Sequence, residues 1–200
     1  MFNWYEKDKT QLGIAYLFLS SEGRINDADF ALFEEMGKLI EGFPEIKGEV
    51  IGTCEKMLAP PDGGKSRFEV VSEFFSSFKT SYGSDVNRDY GILWALISLQ
   101  YRCKEKTEKR QQLVELWAED NGIDKAVISE MWDTCETQNT VIEYQKWLET
   151  SKGMSYQEVN SFMQELDKDL KSLQQSVSDL ILLGSAVIKS PASEIAEPNI

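Results

Sequence analysis

The sequence predicts an all-α fold, a single-domain bundle of seven to nine helices with one long amphipathic helix near its C-terminus. Apolar residues recur at spacings of three and four along most of the chain, which is the period of a helix face. Glycine, proline and capping residues divide these stretches into segments of helical length. No sustained alternation of β-branched residues, the pattern of a strand, occurs in the sequence.

Three helices are predicted in the first part of the chain. The first runs from Trp4 to Leu19, where the apolar stripe is so broad that the helix should be deeply buried. The second begins after Asn26, a good N-cap with an acid three residues on, and ends by Gly42 and Pro44. The third covers 46–58 and stops at a Pro- and Gly-rich stretch at 59–66, where a hinge would fall if the chain has one.

The remaining helices follow in the same way. An aromatic face at spacings of three and four predicts a helix from Phe68 to Tyr82, and another follows over 85–103. The alternating charges of 104–112 indicate a solvated face before Leu113 and Trp117 return to the core. Asp124 caps a helical pattern that continues to Leu148.

The long helix is predicted over 155–184, because Ser155 and Glu158 form a capping box and apolar residues then recur over more than twenty positions. The domain is therefore predicted at 1–184. A mobile tail is expected at 185–200, where periodicity is lost and two prolines occur.

Charge and composition restrict the function. Asp and Glu number 34 against 21 Lys and Arg, a formal net charge of -13, which repels nucleic acids and anionic membranes and favours basic proteins or cations as partners. The N-terminus lacks the apolar segment of a signal peptide, and the most apolar run, 90–101, is too short to cross a bilayer. We expect a soluble cytoplasmic protein with a protein partner and no membrane insertion, while the oligomeric state stays open.

The residues for common catalytic chemistry are missing. The chain has no histidine, which removes Ser-His-Asp and Cys-His catalysis and nearly all usual zinc sites. Cys54, Cys103 and Cys135 lie on apolar stripes and are expected to be reduced residues of the core. A relaxed P-loop pattern at 59–66 ends in Lys65 and Ser66, but a helical pattern precedes it where a P-loop needs a strand. We therefore expect a loop before a capped helix and a protein that is not an enzyme.

Four tryptophans could form a stacking platform, but each lies within an apolar helical stripe, so core packing is expected. They are Trp94, Trp117, Trp132 and Trp147.

The candidate site is an acidic turn between the first two helices. Glu22, Asp27 and Asp29 surround Gly23 and the apolar Ile25. The arrangement is that of half an EF-hand, but a normal Ca²⁺ loop is excluded because Phe18 and Ser20 would fill its first and third positions. The acids either bind a divalent cation or stabilise the helix N-terminus without one.

A similar order of residues recurs later in the chain, where Asp120 and Asp124 enclose Gly122 and Ile123. This suggests a degenerate internal repeat. Asp120 and Asp124 are weaker candidates for the same two roles.

The run from Ser21 to Asp29 resembles the turn of the TerB-like tellurite-resistance family, in which a helix leads into A-D-G-x-I-x-x-x-E and a second helix. The resemblance covers about the first forty residues and, loosely, 117–131. It departs from the family at Ser21-Glu22, where Ala-Asp is usual, and at Asp29, where Glu is commoner. It implies a helical cytoplasmic protein whose acidic clusters hold metal ions and which acts through partners in stress response or phage defence.

Two functions are therefore expected as alternatives. One is a non-catalytic TerB-like module that works by docking other proteins and needs no cofactor beyond a weakly held divalent cation. The other is an acidic inhibitor or immunity-type protein that binds a basic partner such as a nuclease. A nucleotide enzyme using Lys65 ranks last.

Overall fold

A computed structural model describes residues 3–59, 64–150 and 155–187. Within these ranges the chain forms eight α-helices and no strand, which confirms the all-α, single-domain prediction. The helices are α1 Lys7–Leu19, α2 Asp27–Gly37, α3 Phe43–Leu58, α4 Arg67–Tyr82, α5 Val86–Arg102, α6 Glu108–Asp120, α7 Lys125–Thr150 and α8 Tyr156–Val187.

Helix α1 is the centre of the first half of the bundle. Every residue from Leu12 to Leu19 is buried. The helix contacts α2, α3 and α5, so apolar side chains are needed all round it. The broad apolar stripe predicted from the sequence is therefore confirmed.

Trp117 joins α4, α5 and α6. Its ring is fully buried and meets Phe75 and Phe78 of α4 at centroid distances of 5.4 Å and 5.2 Å. Its indole N–H donates to the carbonyl oxygen of Asp89 at 2.9 Å, so the buried polar atom of the ring is satisfied. This tryptophan belongs to the core, as predicted.

The boundary between α2 and α3 differs from the sequence prediction. Helix α2 ends at Gly37, and Pro44 lies in the first turn of α3 instead of terminating α2. Proline is tolerated there because the first N–H groups of a helix have no intrahelical acceptor. Ring atoms of Phe43 lie against the Cα of Gly37, where a Cβ would collide with them.

Helices α7 and α8 form an antiparallel hairpin, in which Gln145 Nε2 donates to Asp167 Oδ1 at 2.9 Å. The capping box of α8 is confirmed, since Glu158 accepts from the N–H and hydroxyl of Ser155 at 2.9 Å and 2.7 Å. The helix continues to Val187, past the predicted end at Gly184. The rest of the predicted tail, 188–200, and the core of the predicted hinge, 60–63, lie outside the described residues.

No helix in the described part of the chain is long and apolar enough to span a membrane.

Candidate functional site

The acidic turn between α1 and α2 is built around the N-cap of α2. Asn26 Oδ1 accepts the backbone N–H of Asp29 at 2.9 Å, which confirms Asn26 as the cap. The side-chain amide of Asn26 donates to Asp29 Oδ2 at 3.1 Å. The cap therefore fixes the carboxylate of Asp29 at the same time as it ends the turn.

Arg110 of α6 reaches into this turn. Its Nη2 donates to Asp29 Oδ2 at 2.6 Å and to the carbonyl oxygen of Leu19 at 3.0 Å. The two side chains of the ion pair are only 7% and 2% exposed. A buried pair of this kind ties the start of α6 to the end of α1 and the start of α2.

Glu22 extends the network toward the surface. Its Oε2 accepts the hydroxyl of Thr107 at 2.5 Å and lies 3.8 Å from Arg110 Nε. Asp27 is exposed in the first turn of α2, outside this network, where its charge complements the helix dipole. The structure therefore brings Glu22 and Asp29 together but leaves Asp27 apart.

Some polar atoms of the network have no hydrogen-bond partner. Arg110 Nε and Nη1 and Asp29 Oδ1 are buried and make no hydrogen bond, although Nε is within ion-pair distance of Glu22 at 3.8 Å. The residues Arg110 and Asp29 also line a cavity of about 210 Å³, together with Glu22, Arg24 and Glu105. The thiol of Cys103 lies beside the pair, and burial is the main cause that raises its pKa to about 12.

A divalent cation fits this donor set poorly. The positive charge of Arg110 already occupies one oxygen of Asp29 at 2.6 Å. Among the described residues, no three His, Cys, Asp or Glu side chains are grouped as metal ligands would be. The cation predicted at Glu22, Asp27 and Asp29 stays a prediction.

The second acidic turn is a separate feature. Asp124 Oδ1 accepts the N–H of Ala126 at 2.7 Å, which is a helix cap, and burial raises the pKa of Asp120 at the end of α6. Arg110 lies in the first turn of α6, and the 13 residues of that helix span about 20 Å. Asp120 and Asp124 therefore lie at the far end of α6 from the acidic turn.

The two turns also differ in backbone geometry. Gly122 has a φ of 66°, whereas Gly23 is not among the glycines with positive φ. The proposed repeat therefore does not extend to the conformation of its glycine.

The end of the segment that resembled a P-loop, 64–66, leads into the capped N-terminus of α4. Ser66 and Glu69 form a reciprocal capping box for α4, and Lys65 Nζ lies 2.6 Å from Glu73 Oε1. Helix α3 precedes it, as predicted. The prediction of a capped helix after the loop is confirmed.

The three cysteines are free and buried, which confirms their predicted place in the core. Burial is the first cause of a raised thiol pKa at Cys54, Cys103 and Cys135, to about 12, 12 and 11. Such thiols are poor nucleophiles at neutral pH.

Sequence reasoning missed Arg110. It placed 104–112 on a solvated face, which is wrong for this residue, since Arg110 is 6% exposed. A signal was present: Arg110 precedes Leu113 and Trp117 by three and seven residues and so shares their buried face. A cation on an apolar stripe indicates a buried anionic partner.

The α7–α8 hairpin carries a second feature of interest. Tyr144 and Trp147 stack with their ring planes 12° apart, and they are 42% and 55% exposed. Phe162 of α8 is 41% exposed. The prediction that Trp147 is a core residue is wrong, because the buried side chains of this part of α7 lie on another face, at Leu148.

No family model, curated protein or solved structure matches this chain. The resemblance to the TerB-like family stays a prediction that rests on the turn from Ser21 to Asp29.

Proposed function

We propose that the protein is a docking module that binds a basic protein partner through the α7–α8 hairpin. The observation that carries the proposal is the exposed aromatic surface of the hairpin, formed by Tyr144, Trp147 and Phe162. Aromatic side chains offer a large contact area at low cost in conformational entropy, and they are frequent anchors of protein interfaces. We call these residues the aromatic patch.

Helix geometry places the members of the patch on one side of the hairpin. The bond from Gln145 to Asp167 marks one edge of the contact between α7 and α8. Tyr144 is turned away from Gln145 by about 100°, and Phe162 is turned by about 140° from Asp167. The same directions of rotation pass through Leu148, which is buried, and Leu170, which is half-buried, so both cross the contact between the helices to the edge opposite that bond.

The surroundings of the patch determine the charge of the partner. Glu165 and Asp169 follow Phe162 by three and seven residues, so they share its face of α8. Over 155–182, five acids stand against two lysines. A partner that places apolar side chains on the patch must therefore present cations around them.

The same charges disfavour a second copy of this chain as the occupant. A symmetric dimer built on the patch would bring the acidic surroundings of one protomer, with Glu165 and Asp169, close to the same surroundings of the other. Like charges brought together in an interface cost several kcal/mol.

The proposal is tested with a synthetic amphipathic peptide of Lys and Leu, and with a peptide of the same composition whose order has no apolar face. We expect the amphipathic peptide to bind more tightly. The double substitution Tyr144→Ser and Trp147→Ser should weaken it at least ~10-fold, the equivalent of about 1.4 kcal/mol. Fluorescence anisotropy of the labelled peptide measures the affinities.

Leu39→Ser is the matched control, because Leu39 is 87% exposed and lies outside the hairpin. It should leave the affinity unchanged. Equal binding of both peptides, or equal binding by the double variant and the control, would refute the proposal. Sedimentation that reveals a dimer lost in the double variant would replace the basic partner with a second copy.

The salt dependence of the affinity distinguishes binding dominated by charge from binding dominated by the aromatic patch. If the acids dominate, as in an inhibitor that covers a basic surface, affinity falls steeply as salt rises, because exposed charges are screened over about 8 Å at 0.15 M. If the aromatic patch dominates, as in an adaptor, the affinity changes little with salt. The charge variant Glu165→Gln with Asp169→Asn should reduce the salt dependence of the affinity only if the acids dominate binding.

A further inference from the structure

A groove along α5 lies between α1 and α2 on one side and α8 on the other. It consists of two cavities of about 480 Å³ and 390 Å³, a size typical of small-molecule sites, which often lie between the helices of a bundle. Gln11 and Trp94 line both cavities, so the two meet at these residues. Most of the lining surface is apolar, and we call this feature the α5 groove. Besides Trp94, its apolar lining includes Met36, Leu39, Ile92, Ala95, Leu99 and Ile181.

Gly91 widens the α5 groove. It lies inside α5, where a glycine costs about 1 kcal/mol relative to alanine. Its φ is not positive, and an added Cβ would have no atom within 4 Å, so neither the backbone nor close packing requires a glycine here. Because Gly91 lines the groove, a side chain at this position would take up part of its volume.

The charges of the groove favour an anion. The first cavity is lined by two cations, Lys7 and Arg88, and by no acid, in a chain whose net charge is -13. The guanidinium of Arg88 is already engaged by Asp89 and by the carbonyl oxygen of Gly83. Lys7 is exposed, and its ammonium group forms no ion pair or hydrogen bond with any described residue. This ammonium group is therefore a solvent-accessible donor that is available to a ligand.

The helix itself does not compensate the charge of Lys7. Lys7 is the first residue of α1, and a cation is disfavoured there by the helix dipole. Of the acids beside it in sequence, Glu6 is in an ion pair with Lys9, and neither Glu6 nor Asp8 lines the groove. An anion bound in the groove would supply the missing negative charge.

From this arrangement we propose that the α5 groove binds a free fatty acid, whose carboxylate pairs with Lys7 and whose hydrocarbon chain lies along α5. At a rise of 1.5 Å per residue, the part of α5 from Gly91 to Leu99 is about 12 Å long. A C–C bond of about 1.5 Å advances an extended chain by roughly 1.25 Å, so a chain of about ten carbons covers this length. The one acid of the second cavity, Glu35, is paired with Arg102 and leaves no unpaired carboxylate to repel the ligand.

Titration calorimetry of the full chain with decanoate, kept below its micelle concentration, tests the inference. We expect one decanoate per chain. Decyltrimethylammonium carries a cationic head on the same chain, decanol has no charge, and acetate has no long chain. Each should bind at least ~10-fold more weakly than decanoate, because each loses either the charge-assisted hydrogen bond or the apolar contact. A rise in Tm of several degrees with decanoate well above its dissociation constant provides the second readout.

Two pairs of variants locate the ligand. Lys7→Gln removes the cation and should weaken decanoate about 10-fold, whereas Lys56→Gln, at an exposed lysine of α3, should leave the affinity unchanged. Gly91→Leu fills the groove and should abolish binding, while Gly52→Leu, in α3 with equally open space, should not. Both glycine variants introduce a better helix former, so both should remain folded, which the Tm of each variant checks.

Several results would overturn the inference. They are the absence of decanoate binding, equal binding of decanol or decyltrimethylammonium, and undiminished binding by Gly91→Leu. Equal affinities of Lys7→Gln and Lys56→Gln would also overturn it, as would the binding of many decanoate molecules per chain, which is the behaviour of a detergent. None of these results bears on the proposed docking function, because no residue of the aromatic patch lines the groove.

Discussion

The buried ion pair of Arg110 and Asp29 should be a major determinant of stability. With side chains 7% and 2% exposed, neither charge can be compensated by solvent when the other is removed. The substitution Arg110→Met leaves the carboxylate of Asp29 buried without its cation, while the side-chain amide of Asn26 still donates to Oδ2. We expect a loss of about 3 to 5 kcal/mol in the free energy of unfolding, the range for breaking a buried pair.

Urea unfolding followed by circular dichroism measures this loss. In thermal unfolding of a protein of 200 residues, each kcal/mol corresponds to roughly 2 to 4 °C in Tm, so Tm should fall by about 6 to 20 °C. The double substitution Arg110→Met and Asp29→Leu removes both charges together. It should be less destabilising than the sum of the single changes, because no buried charge is left unpaired.

Lys65→Met is the matched control for loss of a cation from an ion pair. Lys65 and Glu73 are 55% and 60% exposed, and the change should cost roughly 0.5 kcal/mol or less. A loss below about 1 kcal/mol for Arg110→Met, or simple additivity in the double variant, would show that the two charges are not coupled in a buried site.

Three further predictions concern single positions. Gly122→Ala should destabilise by about 1 kcal/mol because Gly122 has a φ of 66°, whereas Gly23→Ala, with open space around it, should be nearly neutral in the same urea assay. Burial and the hydrogen bond to Glu55 raise the pKa of Tyr16 from 10.0 to about 12. Because the unfolded state loses the hydroxyl proton first, the contribution of Tyr16 to the free energy of unfolding is complete below pH 10 and is lost as the pH rises to 12. Stability measured across that interval should therefore fall less in Tyr16→Phe than in the wild type, and an equal fall would contradict this. Trp117→Phe leaves the Asp89 carbonyl without its indole donor and should lower Tm by several degrees, and an unchanged Tm would contradict this.

The fold could be predicted from the sequence because each helix carries its own local signals. The capping box at Ser155 and Glu158 and the cap at Asn26 both form as their spacing indicates. These signals depend only on residues within one turn of each other, so no knowledge of the tertiary structure is needed. The helix starts at Asp27 and Tyr156 were predicted for this reason.

Boundaries that depend on packing were harder to predict. The early end of α2 at Gly37 goes with the ring of Phe43, which lies against that glycine. Nothing within one turn of Gly37 indicates this contact. Pro44 was misassigned for a related reason, since proline either follows a helix or begins one and the local sequence allows both.

In the candidate site too, only the residues that are close in sequence could be predicted. The acids of the turn were visible in the sequence, but their partner Arg110 is 81 residues away from Asp29. Alternating charges around Arg110 concealed it, although its spacing from Leu113 and Trp117 put it on a buried face. A long-range ion pair leaves no local pattern beyond the burial of each of its charges.

The position of Arg110 also changes what the acidic turn can do. As isolated acids, Glu22 and Asp29 would attract a cation, and a metal ion was one of the two roles expected from the sequence for that reason. With the guanidinium 2.6 Å from Asp29, the same acids become part of a site that carries both signs of charge. A divalent cation that used the carboxylate of Asp29 would have to break this buried ion pair and leave Arg110 without its anion, and breaking a buried pair costs about 3 to 5 kcal/mol.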